Sequence, residues 1–288
     1  MYRLGYNTNG LAHHRLVEAL DLLADLGYQG AAITPDAGAL DPYRLDRAEL
    51  KAVRELARTR GLALAIETGA RFVLDPRRKH RPSLLEVERA ERDRRQDFLR
   101  RCLDLASELE AGLVSIWSGA APGGERADSG VAVPETLWER LVEGIGRTLE
   151  HARARGVRLA FEPEPGMFVE RPGGFLELRR RLGARGEELG LTLDVGHLLV
   201  TGDLPVEKQI RDLGPLLAHV HLDDIAGGVH EHRMFGAGDL DLPATLTALR
   251  ETGYTGMAAV ELSRDSHRGF EAAREAWERL ARARGDRM

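Results

Sequence analysis

Six residues whose side chains can do chemistry each close a short apolar run along the 288-residue chain: Glu67, Trp117, Glu162, Asp194, His221 and Glu261. A buried strand ordinarily ends in Val, Ile or Leu, and a carboxylate taken out of water without a partner is costly. Carboxylates and a histidine repeated at successive strand ends therefore call for something positive among them. A divalent metal meets that need, because oxygen and imidazole donors suit Mn²⁺, Mg²⁺, Co²⁺ or Zn²⁺. Cys102 is the only cysteine, so a disulfide within the chain and a cysteine-built zinc cage are both excluded. The chemistry expected is catalytic, at a site built from oxygen and nitrogen ligands.

Each piece has a plainer reading. Asp194-Val195-Gly196-His197 reads equally as a helix N-cap followed by a surface histidine. His219 and His221 lie two apart on one strand and share a face, so one of them can be a hydrogen-bonded core histidine; His219, deeper in the strand, is the one expected there. Glu261 could pair with one of the many arginines, Glu162-Pro163-Glu164-Pro165-Gly166 could be an acidic turn, and Trp117 could be core. It is the recurrence at strand ends that favours a site.

The elements that must position these residues follow a βα rhythm. Strands are expected at Arg3–Asn7, Gly30–Thr34, Leu62–Glu67, Leu113–Trp117, Arg158–Glu162, Leu191–Asp194, Leu217–His221 and Met257–Glu261. Between them the apolar spacing predicts helices over 13–26, 46–60, 84–109, 134–155, 175–182, a short stretch after Pro205, 243–251 and a last one through Trp277. Glycines such as Gly27, Gly61 and Gly156 close helices ahead of strands. About eight strand–helix units close a (β/α)₈ TIM barrel, an α/β fold whose active site lies at the C-terminal strand ends. No Pro/Ser-rich linker divides the series, so residues 1–288 are expected to form one domain.

Composition bounds the partners. Forty-one basic and 46 acidic residues give a net charge of −5, which weighs against a general nucleic-acid binder. With 43% hydrophobic and 30% charged residues the chain is globular in composition, and no stretch is apolar enough for a signal peptide or a membrane span. The expectation is a cytoplasmic protein without membrane or nucleic-acid partners, for which a homo-oligomer would be ordinary.

From Arg158 onward the chain resembles the xylose isomerase-like TIM barrels, a family of sugar-phosphate isomerases and epimerases that includes endonuclease IV. The resemblance rests on Leu159-Ala160-Phe161-Glu162-Pro163, Leu193-Asp194-Val195-Gly196-His197 and His219-Val220-His221-Leu222-Asp223-Asp224. It continues through His232-Arg233-Met234-Phe235-Gly236-Ala237-Gly238-Asp239-Leu240-Asp241 and Gly253-Tyr254-Thr255-Gly256 to Val260-Glu261. It implies one divalent metal held by Glu162, Asp194, His221 and Glu261, with Glu162 and Glu261 also serving as the acid–base pair. By the same resemblance His197 would contact substrate oxygens, Arg233 a phosphate or hydroxyl, and His232 sits where the endonucleases place another metal ligand.

The chemistry implied is isomerisation or epimerisation of a small sugar, sugar phosphate or cyclitol. Chelation of a carbonyl and its neighbouring hydroxyl acidifies the C–H between them and stabilises an enediolate. One carboxylate removes that proton and another returns it on the opposite face. A metal-dependent dehydratase needs the same site. The endonuclease reading is disfavoured: the earlier strand ends carry Glu67 and Trp117 where those enzymes use histidines, and His230 stands where they carry an aspartate. A non-catalytic barrel would not need the converging polar groups.

On the substrate side the expected residues are His197, His232, Arg233, Glu67, Trp117, Arg71 and Lys79. Trp117 would wall the carbon face of a polyol. Arg71 and Lys79 belong to a basic loop that could clamp a phosphate or carboxylate; its plainer reading is a solvated segment pairing with the acidic residues from Glu86 to Glu91.

Overall fold

A computed structural model describes residues 1–285. The elements run, in chain order, β1 (Arg3–Asn7), α1 (Leu16–Leu26), β2 (Gly30–Ile33), α2 (Arg47–Arg60), β3 (Ala63–Glu67), α3 (Arg89–Glu108), β4 (Leu113–Ile116) and α4 (Glu135–Arg155). They continue with β5 (Arg158–Phe161), α5 (Pro172–Leu182), β6 (Gly190–Asp194), α6 (Val195–Thr201), α7 (Val206–Leu213), β7 (Leu217–Leu222), α8 (Leu242–Glu251), β8 (Met257–Val260) and α9 (Gly269–Arg284). The eight strands close a barrel in the order β1 to β8, the (β/α)₈ architecture expected from the rhythm of the sequence.

Two compact units make up this chain. The first comprises residues 1–33, 52–64 and the chain from Thr192 onward. In it β1 pairs in parallel with β2 (Gly5↔Gly30) and with β8 (Leu4↔Ala258), and β7 pairs with β8 (His221↔Ala259). Every residue of β7 is buried, as a parallel strand covered on both faces requires. Gly5 and Gly30 leave room for the Met257 side chain: a Cβ on either would approach its sulfur or methyl to 2.5–2.6 Å. The second unit, residues 34–51 and 65–191, pairs β3 with β4 (Ile66↔Val114), β4 with β5 (Ser115↔Ala160) and β5 with the start of β6 (Phe161↔Leu191).

Several boundaries differ from the sequence reading, each for a local reason. α1 starts at Leu16 rather than His13, because Thr8–Leu11 form a separate 3₁₀ turn whose Asn9 N–H donates to the Asn7 side chain. α3 starts at Arg89 rather than Leu84. The intervening segment is pinned as a loop, with Ser83 N–H and Arg81 both donating to Glu86 Oε1 and Arg92 donating to the carbonyls of Glu86 and Val87. α5 begins at Pro172, a first-turn proline whose missing N–H costs the helix nothing. α9 runs past Trp277 to Arg284, where Gly285 takes the left-handed conformation at φ 73°. The seven-residue α6 is the helix that the N-cap reading of Asp194 allowed, though it was not among the expected helices.

Candidate functional site

In the first unit, four strand ends or the turns after them supply the polar groups. β6 ends on Asp194, β7 carries His221, β8 is followed by Glu261, and the turn after β1 offers Asn9. Glu261 is held from both sides: Asn9 Nδ2 donates to its Oε1 at 2.7 Å, and His221 Nδ1 lies 3.0 Å from its Oε2. Asp194 does two jobs. Its Oδ1 accepts the His197 N–H at 2.9 Å and so caps α6. Its Oδ2 is buried with no hydrogen-bond partner among the described residues, 3.7 Å from both His221 Nδ1 and His197 Nε2.

An unsatisfied buried carboxylate oxygen is rare in a native interior and marks a place where an ion or water belongs. Ligand atoms of Asp194, His221 and Glu261 lie within 4.8 Å of one another, which suits a divalent cation with mixed oxygen and imidazole donors. His221 makes these contacts. His219, one pleat earlier, packs its ring edge-on against that of His221 at 5.0 Å, is buried like it, and brings a ring nitrogen within 4.8 Å of ligand atoms of Glu67 and His221.

Around this centre lies a second set of groups. Asp223 accepts the Gly196 N–H on Oδ1 at 3.2 Å and holds His232 Nδ1 on Oδ2 at 2.8 Å. Gly196 is required there, since a Cβ would stand 2.3 Å from that carboxylate. His232, His230 and His197 bring ring nitrogens within 4.8 Å of one another, with His230 Nε2 and His197 Nε2 at 3.1 Å. Asp194 is thus the N-cap that the sequence allowed, but His197 is buried rather than on the surface.

Burial sets the protonation of these groups and neighbouring charges then adjust it. Desolvation lowers His197 to about 4, against the pull of Asp194, so its ring is neutral at ordinary pH. Burial likewise pushes His219 well below the usual imidazole range. His232 moves the other way: burial opposes its charge, but Asp223 and Glu261 outweigh it and hold the proton well above the usual range. Glu261 resists the upward push of burial because His221 and His232 keep it ionised.

In the second unit Glu162 directly follows β5, is 5% exposed and donates its N–H to Ile116 O at 2.8 Å. Glu67 ends β3 and is buried. Trp117 follows β4 and is 8% exposed. Its ring lies between the Arg95 guanidinium, 4.7 Å from the centroid, and the His80 ring, edge-on at 5.3 Å. Arg95 is fully buried, donates to Thr68 O at 3.0 Å, and is lowered by that burial to about 10.

The basic loop is largely engaged with its own acids. Arg78 pairs with Asp75 at 2.6 Å and Glu91 at 3.1 Å, Arg81 with Glu86 at 2.7 Å, and Arg71 with Asp36 at 3.6 Å. Lys79 is exposed. For Arg78 and Arg81 this is the plainer of the two readings. Back in the first unit, Arg233 is tied to Glu231 at 3.0 Å, which also meets Arg264 at 3.3 Å.

The structure thus gathers Asp194, His197, His221, His232 and Glu261 in one unit. The sequence reading gave no site role to four residues nearby. Asp223 and Asp224 were readable in principle, as two charges directly behind a buried His-x-His strand. His230 carried a signal in its spacing of two from His232. Asn9 carried none, since only the fold brings a residue 252 positions away onto Glu261.

A family model described as xylose isomerase-like TIM barrel matches residues 20–283. Fructoselysine 3-epimerase of Shigella flexneri is 26% identical over 167 residues, 58% of this chain and 58% of that protein. Inosose dehydratase of Lacticaseibacillus casei is 26% identical over 147 residues, 44% of this chain and 48% of that one. The chain therefore matches about half the length of these curated relatives. Among solved structures, D-allulose 3-epimerase from Methylomonas sp. in complex with D-allulose superposes with a TM-score of 0.75 at 16% identity, covering 98% of this chain and 96% of the other. No helix among the described residues is long and apolar enough to cross a membrane.

Proposed function

The chain belongs to the xylose isomerase-like TIM barrel family, and from that premise we propose that it isomerises or epimerises a small sugar, sugar phosphate or cyclitol through an enediolate. In this reading Glu162, Asp194, His221 and Glu261 hold one divalent metal ion, Mn²⁺, Co²⁺, Mg²⁺ or Zn²⁺, and the whole chain serves as one catalytic domain. The observation that carries it is the buried Asp194 Oδ2, which has no hydrogen-bond donor among the described residues and faces two imidazoles at 3.7 Å. A bound divalent cation would supply Lewis-acid polarisation of a carbonyl and its neighbouring hydroxyl, acidifying the C–H between them.

The chain's own residues do the rest. Glu162 and Glu261 act as the acid–base pair, one removing the proton and the other returning it on the opposite face. Asn9 orients Glu261 by donating to its Oε1. His197, kept neutral by burial, can donate to or accept from a substrate hydroxyl without adding charge. His232, held on Nδ1 by Asp223 at 2.8 Å, can offer its other ring nitrogen to a substrate oxygen. Trp117 and Glu67 line the carbon skeleton and hydroxyls, and Arg71, Lys79 and Arg233 meet a phosphate or hydroxyl at the far end.

Ketoses incubated with the Mn²⁺-loaded protein in D₂O test this reading by NMR. Deuterium at the carbon next to the carbonyl, with a second sugar appearing, is the expected result; no exchange across a panel of free and phosphorylated ketoses overturns it. The likeness to inosose dehydratase supports a second reading, in which the same enediolate expels a β-hydroxyl. That reading predicts a product lighter by one water from inosose and no epimer.

A further inference from the structure

Directly behind the His221 strand lies a carboxylate to which no role has yet been given. Asp224 is fully buried and touches none of the candidate ligands by a side-chain hydrogen bond. Its two oxygens accept four backbone N–H groups. Oδ1 takes those of Ile225 and Leu240, each at 2.9 Å, and Oδ2 takes those of Gly236 at 2.7 Å and Gly238 at 3.0 Å. Four donors saturate the acceptor capacity of a carboxylate, and hydrogen bonds to an ionised acceptor are the strong kind.

These four bonds cinch a strap of chain, residues 225–240, at its two ends. Backbone bonds reinforce the base: Asp224 and Arg233 exchange N–H···O bonds of 3.0 and 2.8 Å, and Asp239 N–H donates to Ile225 O at 2.8 Å. Arg279 of α9 donates to Phe235 O from outside. The glycines explain themselves here. A Cβ at Gly238 would stand 2.4 Å from both Asp224 Oδ1 and Ile225 O, and Gly236 sits at φ 81°. Between these ends the strap turns through Gly227 and Gly228, both at positive φ, with Gly227 N–H held by Asp239 Oδ2 at 2.7 Å and Val229 53% exposed. Beyond that turn the strap carries His230 and His232, which meet His197 and Asp223.

We propose that Asp224 is a positioning residue, whose carboxylate holds the 225–240 strap in the one conformation that delivers His230 and His232 to His197, and thereby sets how tightly substrate is held. The effect on substrate rests on the reading that these histidines contact it; the effect on the strap does not. Asp224→Asn is the natural probe. It keeps the shape and one acceptor oxygen but turns an NH₂ toward two of the four donors, so two strap amides lose their partner.

Three readouts follow for D224N in the full chain. Hydrogen exchange over 225–240 should accelerate at Gly236, Gly238 and Leu240 while β7 and α9 stay as protected as before. A crystal structure should show the His197–His230 and His232–Asp223 contacts broken. With D-allulose as the probe sugar, KM should rise about tenfold with kcat within about threefold, the signature of lost binding rather than lost chemistry. The same substitution made in a His232→Ala background should add little, because both act through one strap.

Unchanged exchange and intact histidine contacts in D224N would overturn the proposal. So would an effect on KM that adds in full to that of H232A, or a fall in kcat at constant KM. If the wild-type protein turns over no ketose, the functional reading fails instead, and exchange and crystal contacts still decide what Asp224 does. Should D224N fail to fold, Gly238→Ala opens the same cinch from the opposite side and is read in the same ways.

Discussion

Two polar segments follow barrel strands in this molecule, and they are built on opposite plans. The strap after β7 buries its charges: Asp223 and Asp224 are fully covered, and each carboxylate oxygen is committed to a named hydrogen or N–H group. The loop after β3, residues 68–83, leaves more of its charge in solvent: Arg78, at 49% side-chain exposure, trades ion pairs with Asp75 and Glu91, while Arg81 and Glu86 are more covered. Exposed pairs of that sort contribute about 0–1 kcal/mol each, whereas removing one partner of a buried charged pair costs about 3–5 kcal/mol. The difference teaches where rigid chemistry and where adjustable recognition reside. On the proposed reading the strap belongs to the machinery and the basic loop to recognition of whatever decorates the substrate.

That contrast can be tested by substitutions graded from the buried plan to the exposed one. The largest effect is expected at the centre: His221→Ala or Glu261→Gln should lower kcat by about a thousandfold or more while circular dichroism stays unchanged, since both lose a metal ligand and Glu261 a proton-transfer group. A loss below tenfold would place the chemistry elsewhere.

Next comes a pH effect that ties the loop to the core. Burial lowers His80 to about 4, although its ring nitrogen meets Gly69 O. Above pH 6.5 the ring is neutral in both folded and unfolded chains and contributes nothing. As pH falls from 6.5 toward 4 the unfolded chain takes up a proton that the folded one refuses, so stability drops, by about 3 kcal/mol at most. His197, also lowered to about 4, adds a loss in the same window. His80→Gln should therefore flatten the fall of Tm between pH 6.5 and 4 relative to wild type; identical slopes would contradict the assignment.

A smaller effect is expected around the ligands. Asp223→Asn removes the group that holds His232 charged and oriented, and outer partners of this kind are worth about 10–100-fold in activity or metal affinity. The smallest effect belongs to the exposed plan: Arg71→Ala and Lys79→Ala should change turnover of a free ketose by about twofold or less, and weaken a ketose phosphate more than its free sugar. Equal losses on both sugars would remove the basic loop from recognition.

The barrel was legible in the sequence because each unit repeats one physical pattern, an apolar run between a glycine-closed helix and a polar residue. All six were expected at strand ends; Glu67, Asp194 and His221 fall within the observed strands, while Trp117, Glu162 and Glu261 lie one residue beyond theirs. That one-residue shift matters little, since the residue after a strand still projects at its C-terminal end. What was not legible depends on tertiary satisfaction. Residues 84–88 carry a helical pattern yet are held as loop by Arg81, Ser83 and Arg92 around Glu86, a set of bonds no periodicity encodes. Asp224 entered the sequence reading only as part of a motif, and its four amide partners appear only in the fold.

The account stands most directly on metal content. Elemental analysis of the purified protein after reconstitution with Mn²⁺ near neutral pH, beside Asp194→Asn and His221→Ala, bears on it without reference to any substrate. The account predicts about one divalent ion per chain in the wild type and none in either folded variant. No bound metal in the reconstituted wild type, or full occupancy in both variants, would contradict it.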